Sequence, residues 1–426
     1  MAISLRLSVN GAEDGAGRYL TWSPRPASLA VVDADGARGP VEVRLTGPTA
    51  GDGGRLDLRP GGSDPPSGHL DLALDPDGTP VPFWLSGRFG FPSREDGDAP
   101  LEVRARGTDP RALASFPLMV RIRKDADTLT DGERSRLLLA LARLNDQGRG
   151  AFRAFRDTHR ESTRAEAHGR DGFPPWHRAF VLDLERALQQ IDPGVTLPYW
   201  RFDVPAPRLF DETYLGAPDP PSRLPRFAAS NPLRVWSTDG QPGIVRAPFF
   251  DPRRSGAHDR NGQAVRREAV VTGFPEGFTR WRGPTEVDPH GSAHVSFTGH
   301  VRVIDTAARD PLFFLLHCNV DRLWAKWQWL HRRFDPDEAD TYRFAGEAGD
   351  PGSTRVGHNL ADSMWPWNGV RTAPRPPTAP RMPFPPSPVT GTPGDAPTVR
   401  SMIDYQGVHD AGAWLGFDYD DVPYEP

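Results

Sequence analysis

Six of the twelve histidines in this 426-residue chain form two sets of three with spacings that could bind metal. The first set is evenly spaced and comprises His159, His168 and His177. In the second set two imidazoles stand four positions apart, which places them on one face of a helix. This set comprises His290, His294 and His317, and neither set includes a cysteine or a carboxylate. The chain therefore offers two clusters of neutral nitrogen ligands.

Ligation by imidazole alone suits zinc, copper, iron or nickel, so the spacing does not choose among these metals. One set taken by itself could be a hydrolytic zinc site with an open fourth position. For any single histidine, a surface position or a hydrogen-bonded position in the core is an equal alternative. Two sets in one chain favour a site with two metals.

Apolar residues recur at helical spacing around three of these histidines, so each imidazole would project inward from an amphipathic helix. The apolar neighbours are Phe152 and Phe155 for His159, Phe180, Val181 and Leu184 for His177, and Phe313, Val320 and Trp324 for His317. Two prolines, Pro174 and Pro175, suit the start of the helix that carries His177. Helices would therefore position most of the candidate ligands.

Four short motifs around these histidines carry a family resemblance. They are Pro-Trp-His-Arg-Ala-Phe at 175–180, Leu-Pro-Tyr-Trp at 197–200, Asp-Pro-Leu-Phe-Phe at 310–314 and Asp-Arg-Leu-Trp at 321–324. Together they resemble the two copper-binding signatures of the tyrosinase and polyphenol oxidase family, in its bacterial form. The resemblance covers most of the chain after residue 112 and leaves out the N-terminal quarter.

The resemblance implies a type 3 centre with two copper ions per chain and O2 as co-substrate. Its catalytic and metal-binding residues would be His159, His168 and His177 on the first copper and His290, His294 and His317 on the second. The activity implied is oxidation of o-diphenols to o-quinones, with o-hydroxylation of monophenols as a second activity of some members.

Two positions beside the second set depart from the family pattern. Members that hydroxylate monophenols often carry Asn after the first of these histidines, and bacterial members carry Arg after the second; here the residues are Gly291 and Val295. We expect both in the substrate pocket, with Ile304 as a gate over it. His300 is a further candidate for substrate contact, and a solvent-facing loop position is its equal alternative.

Four other residues near the motifs invite specific expectations. In the resembling enzymes the missing Asn acts with a Glu to hold a water, and the closest upstream carboxylates here are Glu286 and Asp288. Asp321 would either accept a hydrogen bond from an imidazole or pair with Arg322. The single cysteine, Cys318, is expected to be buried.

Periodicity divides the chain into two predicted domains. Residues 1–112 contain short alternating runs separated by Gly, Pro and Asp, which predicts a small all-β sandwich or barrel. Residues 113–426 are predicted to be mainly α, a tyrosinase-like four-helix bundle with long loops around the dicopper centre. A stripe of leucines from Leu129 to Leu144 marks its first helix.

Composition limits the partners. A net charge of −5 gives no electrostatic reason to bind nucleic acid or an anionic membrane. No transmembrane segment or secretory signal is visible, so we expect a cytoplasmic protein, with secretion by an unusual route as an alternative. The expected partner is a small phenolic substrate. The sequence does not decide whether the protein forms an oligomer or binds a copper-delivery partner.

Three functions are compatible with these residues. The leading one is a copper-dependent phenol oxidase of the kind the resemblance implies. The second is a tailoring oxidase that acts on aminophenols or on tyrosines within peptides or natural products. The third is a hemocyanin-like oxygen carrier, which shares the six-histidine chemistry.

Overall fold

The computed structural model describes residues 3–13, 15–34, 36, 39–107, 111–160, 163–219, 221–238, 240–342, 356–371, 375, 383–387 and 389–425. The chain divides into two compact units. The first comprises Met1–Ile122 with Ser387–Gly391 and Gly416–Pro426, and the second comprises Arg123–Pro386 with Thr392–Leu415. No helix in the described part of the chain combines the length and apolarity that a membrane span requires.

Two four-stranded sheets account for most of the first unit. Its strands are β1 (Ser4–Val9), β2 (Tyr19–Leu20), β3 (Arg25–Asp33), β4 (Val41–Thr46), β5 (Leu56–Arg59), β6 (His69–Leu74), β7 (Val81–Gly87), β8 (Leu101–Ala105), β9 (Ala112–Phe116) and β10 (Met119–Val120). The strand orders are β1-β3-β7-β5 and β6-β4-β8-β9, and β2 pairs with β10. Leu29, Leu45, Leu58 and Val103, from both sheets, share one hydrophobic core.

The first unit ends later than the predicted boundary at residue 112. Ala112–Phe116 does not begin a helical domain but forms β9, whose Phe116 pairs with Leu101 of β8. A C-terminal segment also joins this unit, because the backbone N–H of Trp22 donates to Asp418 Oδ2 at 2.9 Å. The contact of Trp22 with Asp418 joins residues 396 positions apart, which local periodicity does not detect.

The second unit is mainly helical. Its α-helices are α1 (Asp131–Asn145), α2 (Phe152–Thr158), α3 (Arg164–Ala167), α4 (Phe173–Gln189), α5 (Glu268–Thr272), α6 (Phe278–Thr285), α7 (Ser292–Val295), α8 (Ile304–Ala307) and α9 (Leu312–His331). A π-helical turn, Glu286–Gly291, joins α6 to α7. Three two-residue or three-residue strands, β11 (Ser237–Thr238), β12 (Gln241–Pro242) and β13 (Arg246–Pro248), precede α5, and β14 (Phe297–Gly299) pairs with β13.

Sequence signals for α1 and α4 are confirmed. Thr130 and Glu133 form a reciprocal capping box at the start of α1, and the predicted leucine stripe is buried. Helix α4 begins with Phe173 and carries prolines in its first turn, where their missing N–H groups leave no hydrogen bond unmade. Every residue of α4 is buried, so this helix lies in the interior of the unit.

Helices α4 and α9 are joined by a buried ion pair. Arg178 Nε donates to Asp321 Oδ1 at 2.5 Å, and the Arg178 guanidinium lies 3.8 Å from the centre of the Trp324 ring. Arg322 donates to Glu268 of α5 at 2.8 Å. These pairs join α9 to α4 and to α5.

Candidate metal centre

The six histidines lie at helix ends and helix interiors of the second unit. His159 directly follows α2, His168 directly follows α3, and His177 lies in the first two turns of α4. His290 belongs to the π-helical turn, His294 to α7 and His317 to the middle of α9. Four are buried, and His168 and His294 are partly buried.

The structure brings all six imidazoles into one cluster. His159 Nε2 lies 2.9 Å from His168 Nε2, and His294 Nε2 lies 3.2 Å from His317 Nε2. The rings of His168 and His177 have centroids 4.9 Å apart. Two groups have ligand atoms within 4.8 Å of one another: His290, His294 and His317, and His159, His177 and His317. The second predicted set therefore forms one group, while His317 lies next to both sets.

Backbone carbonyls orient four of the six rings. Nδ1 lies within hydrogen-bond distance of Ile304 O for His159 (3.1 Å), Phe173 O for His177 (2.9 Å), Glu286 O for His290 (2.8 Å) and Val301 O for His294 (2.6 Å). A carbonyl only accepts, so each Nδ1 carries the proton and donates. Each Nε2 then keeps its lone pair, which is the form that binds a metal.

Two of these lone pairs have no partner. Nε2 of His177 and Nε2 of His290 are buried and contact no hydrogen-bond donor among the described residues. A buried polar atom left unpaired costs about 1–3 kcal/mol. A cation among the Nε2 atoms would satisfy them, so the donor set fits a metal that accepts imidazole nitrogen, such as copper or zinc.

Burial keeps the cluster neutral. Desolvation is the main cause that lowers the pKa of all six imidazoles, and for five of them the repulsion of neighbouring histidines adds to it. The pKa of His159 falls to about 3 and that of His294 to about 4. Near neutral pH the rings therefore carry no proton that would compete with a metal.

Phenylalanine rings surround the cluster and exclude water from its inner side. Phe313 lies 4.3 Å from the His317 ring and 4.6 Å from the His159 ring, measured between centroids. Phe173 lies 4.8 Å from the His290 ring. Phe173 and Phe313 are both fully buried and cover this side of the cluster with apolar surface. Their packing holds the imidazoles in a fixed arrangement.

A cavity of about 530 Å³ opens onto the cluster. Its walls include His159, His168, His290 and His294 together with three predicted pocket residues, Gly291, Val295 and Ile304. His300 is not among the lining residues, which favours the loop position over substrate contact. Its backbone N–H donates to Val245 O at 2.8 Å, and the preceding Gly299 pairs with Arg246, so this segment is tied to β13.

Glu286 is the carboxylate in the cavity wall. Its Oε1 accepts the backbone N–H of Gly169 and lies 3.8 Å from His168 Nδ1, while Oε2 accepts from Arg282 Nη1 at 2.8 Å. Burial raises the pKa of Glu286 although Arg282 and Gly169 oppose this. Asp288, the other candidate carboxylate, accepts the backbone N–H of Arg266 at 3.0 Å and does not line the cavity.

The sequence analysis missed His358, which supports the segment that carries His168. Its Nδ1 accepts the backbone N–H of Gly172 at 3.0 Å, and its Nε2 donates to Ala165 O at 2.9 Å. Both bonds join residues more than 180 positions apart, and no spacing pattern links His358 to the six histidines. Only the folded chain places it beside the cluster.

The comparisons with known proteins agree with this site. A model described as the common central domain of tyrosinase matches residues 149–330, a range that includes all six histidines. The tyrosinase of Streptomyces glaucescens is 32% identical over 280 residues, which cover 59% of this chain and 94% of that protein. The chain therefore belongs to the tyrosinase family and is an oxidoreductase, as its motifs predicted.

Two further relatives carry different names. Grixazone synthase of Streptomyces griseus subsp. griseus is 29% identical over 269 residues, which cover 50% of this chain and 86% of that protein. Hemocyanin beta-C chain unit D of Helix pomatia is 30% identical over 237 residues, which cover 50% of this chain and 52% of that protein. Family membership alone therefore leaves the reaction and substrate to be argued from the site.

Proposed function

We propose that this protein is a copper-dependent oxidase that uses O2 to convert o-diphenols to o-quinones. The observation that carries the proposal is the convergence of six imidazoles, four of them oriented through Nδ1 by backbone carbonyls. Membership of the tyrosinase family favours copper over the other metals that imidazole binds.

In this proposal His159, His168 and His177 hold one copper ion, and His290, His294 and His317 hold the second. When bound, the two ions supply O2 binding and the two-electron oxidation of the phenol. The four-helix bundle predicted from the sequence would consist of α2, α4, the α6–α7 segment with its π-helical turn, and α9. Five of the six histidines lie within these elements or directly after them.

The chain's own residues orient the substrate and accept its protons. Oxidation of an o-diphenol to an o-quinone releases two protons, and Glu286 is the carboxylate that lines the cavity. A raised pKa makes Glu286 a stronger base than an ordinary carboxylate, which suits proton transfer near neutral pH. Its contacts with Gly169 and Arg282 hold the carboxylate in place.

The cavity supports an enzyme rather than an oxygen carrier. Its volume of about 530 Å³ falls within the roughly 300–1,000 Å³ usual for small-molecule sites. An oxygen carrier needs no space for an aromatic ring beside its metals. Many monophenol hydroxylases carry an asparagine at the position of Gly291, and this cavity lacks that side-chain amide. We therefore propose that the rate of diphenol oxidation exceeds the rate of monophenol hydroxylation.

A tailoring oxidase acting on aminophenols or on tyrosines within larger products is the second candidate. The similarity to grixazone synthase favours it, because that relative is named for a product it makes. Gly291 and Val295 also favour it, since small residues at both positions widen the cavity beside His290 and His294.

Oxygen uptake by the copper-loaded protein tests these alternatives. Dopamine and tyramine are supplied in parallel at equal concentration, with the copper-free protein as control. Uptake on dopamine that exceeds uptake on tyramine is the expected result. Equal uptake on both would show a full tyrosinase. No uptake on either, in protein that retains its copper, would overturn the proposal of a general diphenol oxidase.

A further inference from the structure

A group of four buried charges joins α4 to α9. It comprises Arg178 and Glu185 of α4, Asp321 of α9, and Arg123, which precedes α1; we call it the interhelical network. Each of these side chains is at most 1% exposed. The cavity beside the histidines is lined by none of the four. The network is therefore not placed to contact a substrate in that cavity.

The network begins beside two of the proposed copper ligands. Arg178 directly follows His177 in α4, and Asp321 lies one turn after His317 in α9. Arg178 Nε donates to Asp321 Oδ1 at 2.5 Å, and the rings of His177 and His317 are stacked with their centroids 4.2 Å apart. The ion pair therefore joins the same two helices within one turn of the stacked imidazoles.

Each helix is held at two points. Arg178 Nη1 also donates to Gln328 Oε1 at 3.0 Å, so one guanidinium binds α9 at residues 321 and 328. Asp321 Oδ2 accepts from Arg123 Nη1 at 3.1 Å, and Arg123 Nε donates to Glu185 Oε2 at 2.6 Å, so Asp321 is connected to α4 at residues 178 and 185. Residues seven positions apart are separated by about 10 Å along a helix. If α4 slid along α9, one connection of each pair would lengthen.

Stability alone does not account for charges at this position. Transfer of an ion pair from water to the protein interior costs about as much as its attraction returns, and apolar residues of similar volume often stabilise a fold equally well. Apolar contacts are not directional, however, and tolerate helices that slide past each other. Hydrogen-bonded charges hold one arrangement, because a shift leaves a buried charge without its partner.

We propose that the interhelical network is a positioning device that sets the register of α4 against α9, and thereby the separation of the two proposed copper sites. Arg178 and Asp321 act through the neighbouring ligands His177 and His317. The inference rests on the proposed function, because it concerns the two-metal centre of that oxidase. Loss of the register would leave each site its own ligands but would no longer hold the two sites at one distance.

Apolar replacements of similar volume test the proposal. The double variant Arg178→Met/Asp321→Leu removes the direct ion pair and leaves Arg123 paired with Glu185. Two cupric ions held close together couple magnetically and give little electron paramagnetic resonance signal, whereas independent cupric ions give a full signal. We expect the copper-loaded variant to retain two ions per chain with a severalfold larger signal per copper. Its kcat on dopamine should fall about 10²-fold through misplacement of the metals, with KM unchanged because the cavity wall is intact.

A stability measurement separates positioning from support of the fold. The urea midpoint of the copper-free double variant should equal or exceed that of the wild type. A lower midpoint with an unchanged resonance signal would show that the network only stabilises the fold, and would overturn the proposal. Arg123→Met/Glu185→Leu keeps the Arg178–Asp321 pair and removes the second connection, so it tests the register even if the first variant does not fold. We expect a larger signal per copper from this variant too.

A matched ion pair on the same helix provides the control. Arg322, next to Asp321 in α9, donates to both carboxylate oxygens of Glu268 in α5, at 2.8 and 3.0 Å, and its side chain is 1% exposed. Arg322→Met/Glu268→Leu therefore removes a comparable pair that does not join α9 to α4. Its resonance signal and kcat should stay those of the wild type. A signal that rises equally in this control, or that stays at the wild-type level in both network variants, would overturn the proposal.

Copper counting and resonance need no turnover, so this inference can fail separately from the proposed function. A wild type with two coupled ions, together with network variants whose ions are uncoupled, would support the positioning role even if dopamine were not oxidised. A wild type whose two ions are already uncoupled would overturn it even if dopamine were oxidised rapidly.

Discussion

The rings of His177 and His317 are stacked with their centroids 4.2 Å apart and their planes 8° apart. His177 lies in α4 and His317 in α9, so this one contact joins the two proposed ligand sets. The neighbouring imidazole also helps to lower the pKa of His317, because two stacked rings cannot readily both carry a proton. The centre is therefore organised as one unit across two helices.

Replacing Glu286 is expected to separate proton transfer from copper binding. Glu286→Gln keeps an oxygen that can accept the Gly169 N–H, so the copper content should stay that of the wild type. Loss of the base should lower kcat on dopamine about 10²-fold. Copper analysis and oxygen uptake on the same preparation measure both effects.

Glu286→Ala provides the comparison for that variant. It removes the contact with Gly169 next to His168, and the loss of such a supporting contact typically lowers metal affinity about 10- to 100-fold. Full turnover in Glu286→Gln would show that the carboxylate is not the proton acceptor.

His358→Ala should destabilise the segment that carries His168. The change leaves the buried N–H of Gly172 and the carbonyl of Ala165 without their partner. We expect the free energy of unfolding to fall by about 1–3 kcal/mol, chiefly from the unpaired buried N–H of Gly172, measured by urea denaturation. His358→Gln retains one acceptor and one donor and should recover part of the loss. Unchanged stability in the Ala variant would contradict a supporting role for His358.

The contacts of Glu286 and His358 show what could not be predicted from the sequence. The six histidines and helices α1, α4 and α9 were predictable because periodicity and motifs are local, extending over a few helical turns. The links from Gly172 to His358 and from Gly169 to Glu286 span 186 and 117 positions. Such contacts depend on the tertiary fold, and no residue pattern near the histidines predicts them.

The same reason explains the two positions that differed from expectation. β9 lies in a stretch read as the start of the helical domain, because its pairing with β8 is set by the sheet and not by its own sequence. His300 carries suitable chemistry close to the pocket, but the backbone bond to Val245 ties it to β13. Residue type and proximity along the chain were not sufficient in either case.

Gly291→Asn should raise monophenol hydroxylation relative to diphenol oxidation. Gly291 has a helical φ of −60°, and an added Cβ would lie 3.4 Å from its nearest neighbour, Glu286 O. The backbone therefore accepts a side chain at this position, and an asparagine restores the amide that the family pattern has here. The ratio of initial rates on tyramine and dopamine measures the effect, and we expect it to rise about tenfold or more. A similar ratio in Gly291→Ala would attribute the gain to side-chain volume instead.

Acid should destabilise the copper-free protein. The folded state keeps the six imidazoles neutral, with the pKa of His159 lowered to about 3 and that of His294 to about 4. In the unfolded chain the same groups protonate below about pH 6.5. The unfolded state then binds more protons, so the free energy of unfolding falls as the pH decreases from 7 toward 5.

Buried carboxyl groups oppose this trend. Burial raises the pKa of Asp404 to about 6 and also raises the pKa values of Asp125, Glu166 and Glu286, so their contributions to stability increase as the pH falls. Six imidazoles should outweigh these four carboxyl groups. Urea denaturation at pH 7, 6 and 5 tests the sum, and His177→Phe should show a shallower dependence. A free energy of unfolding that stays constant or rises over this range would contradict the neutral state of the cluster.

Copper stoichiometry tests the central claim most directly. The wild-type chain, loaded with copper and freed of excess metal, is compared by elemental analysis with His177→Ala and His294→Ala, which remove one proposed ligand from each set. We predict two copper ions per wild-type chain and at most one in either variant, with circular dichroism unchanged. One copper ion in the wild type, or two in either variant, would contradict a centre in which two sets of three histidines each hold one ion.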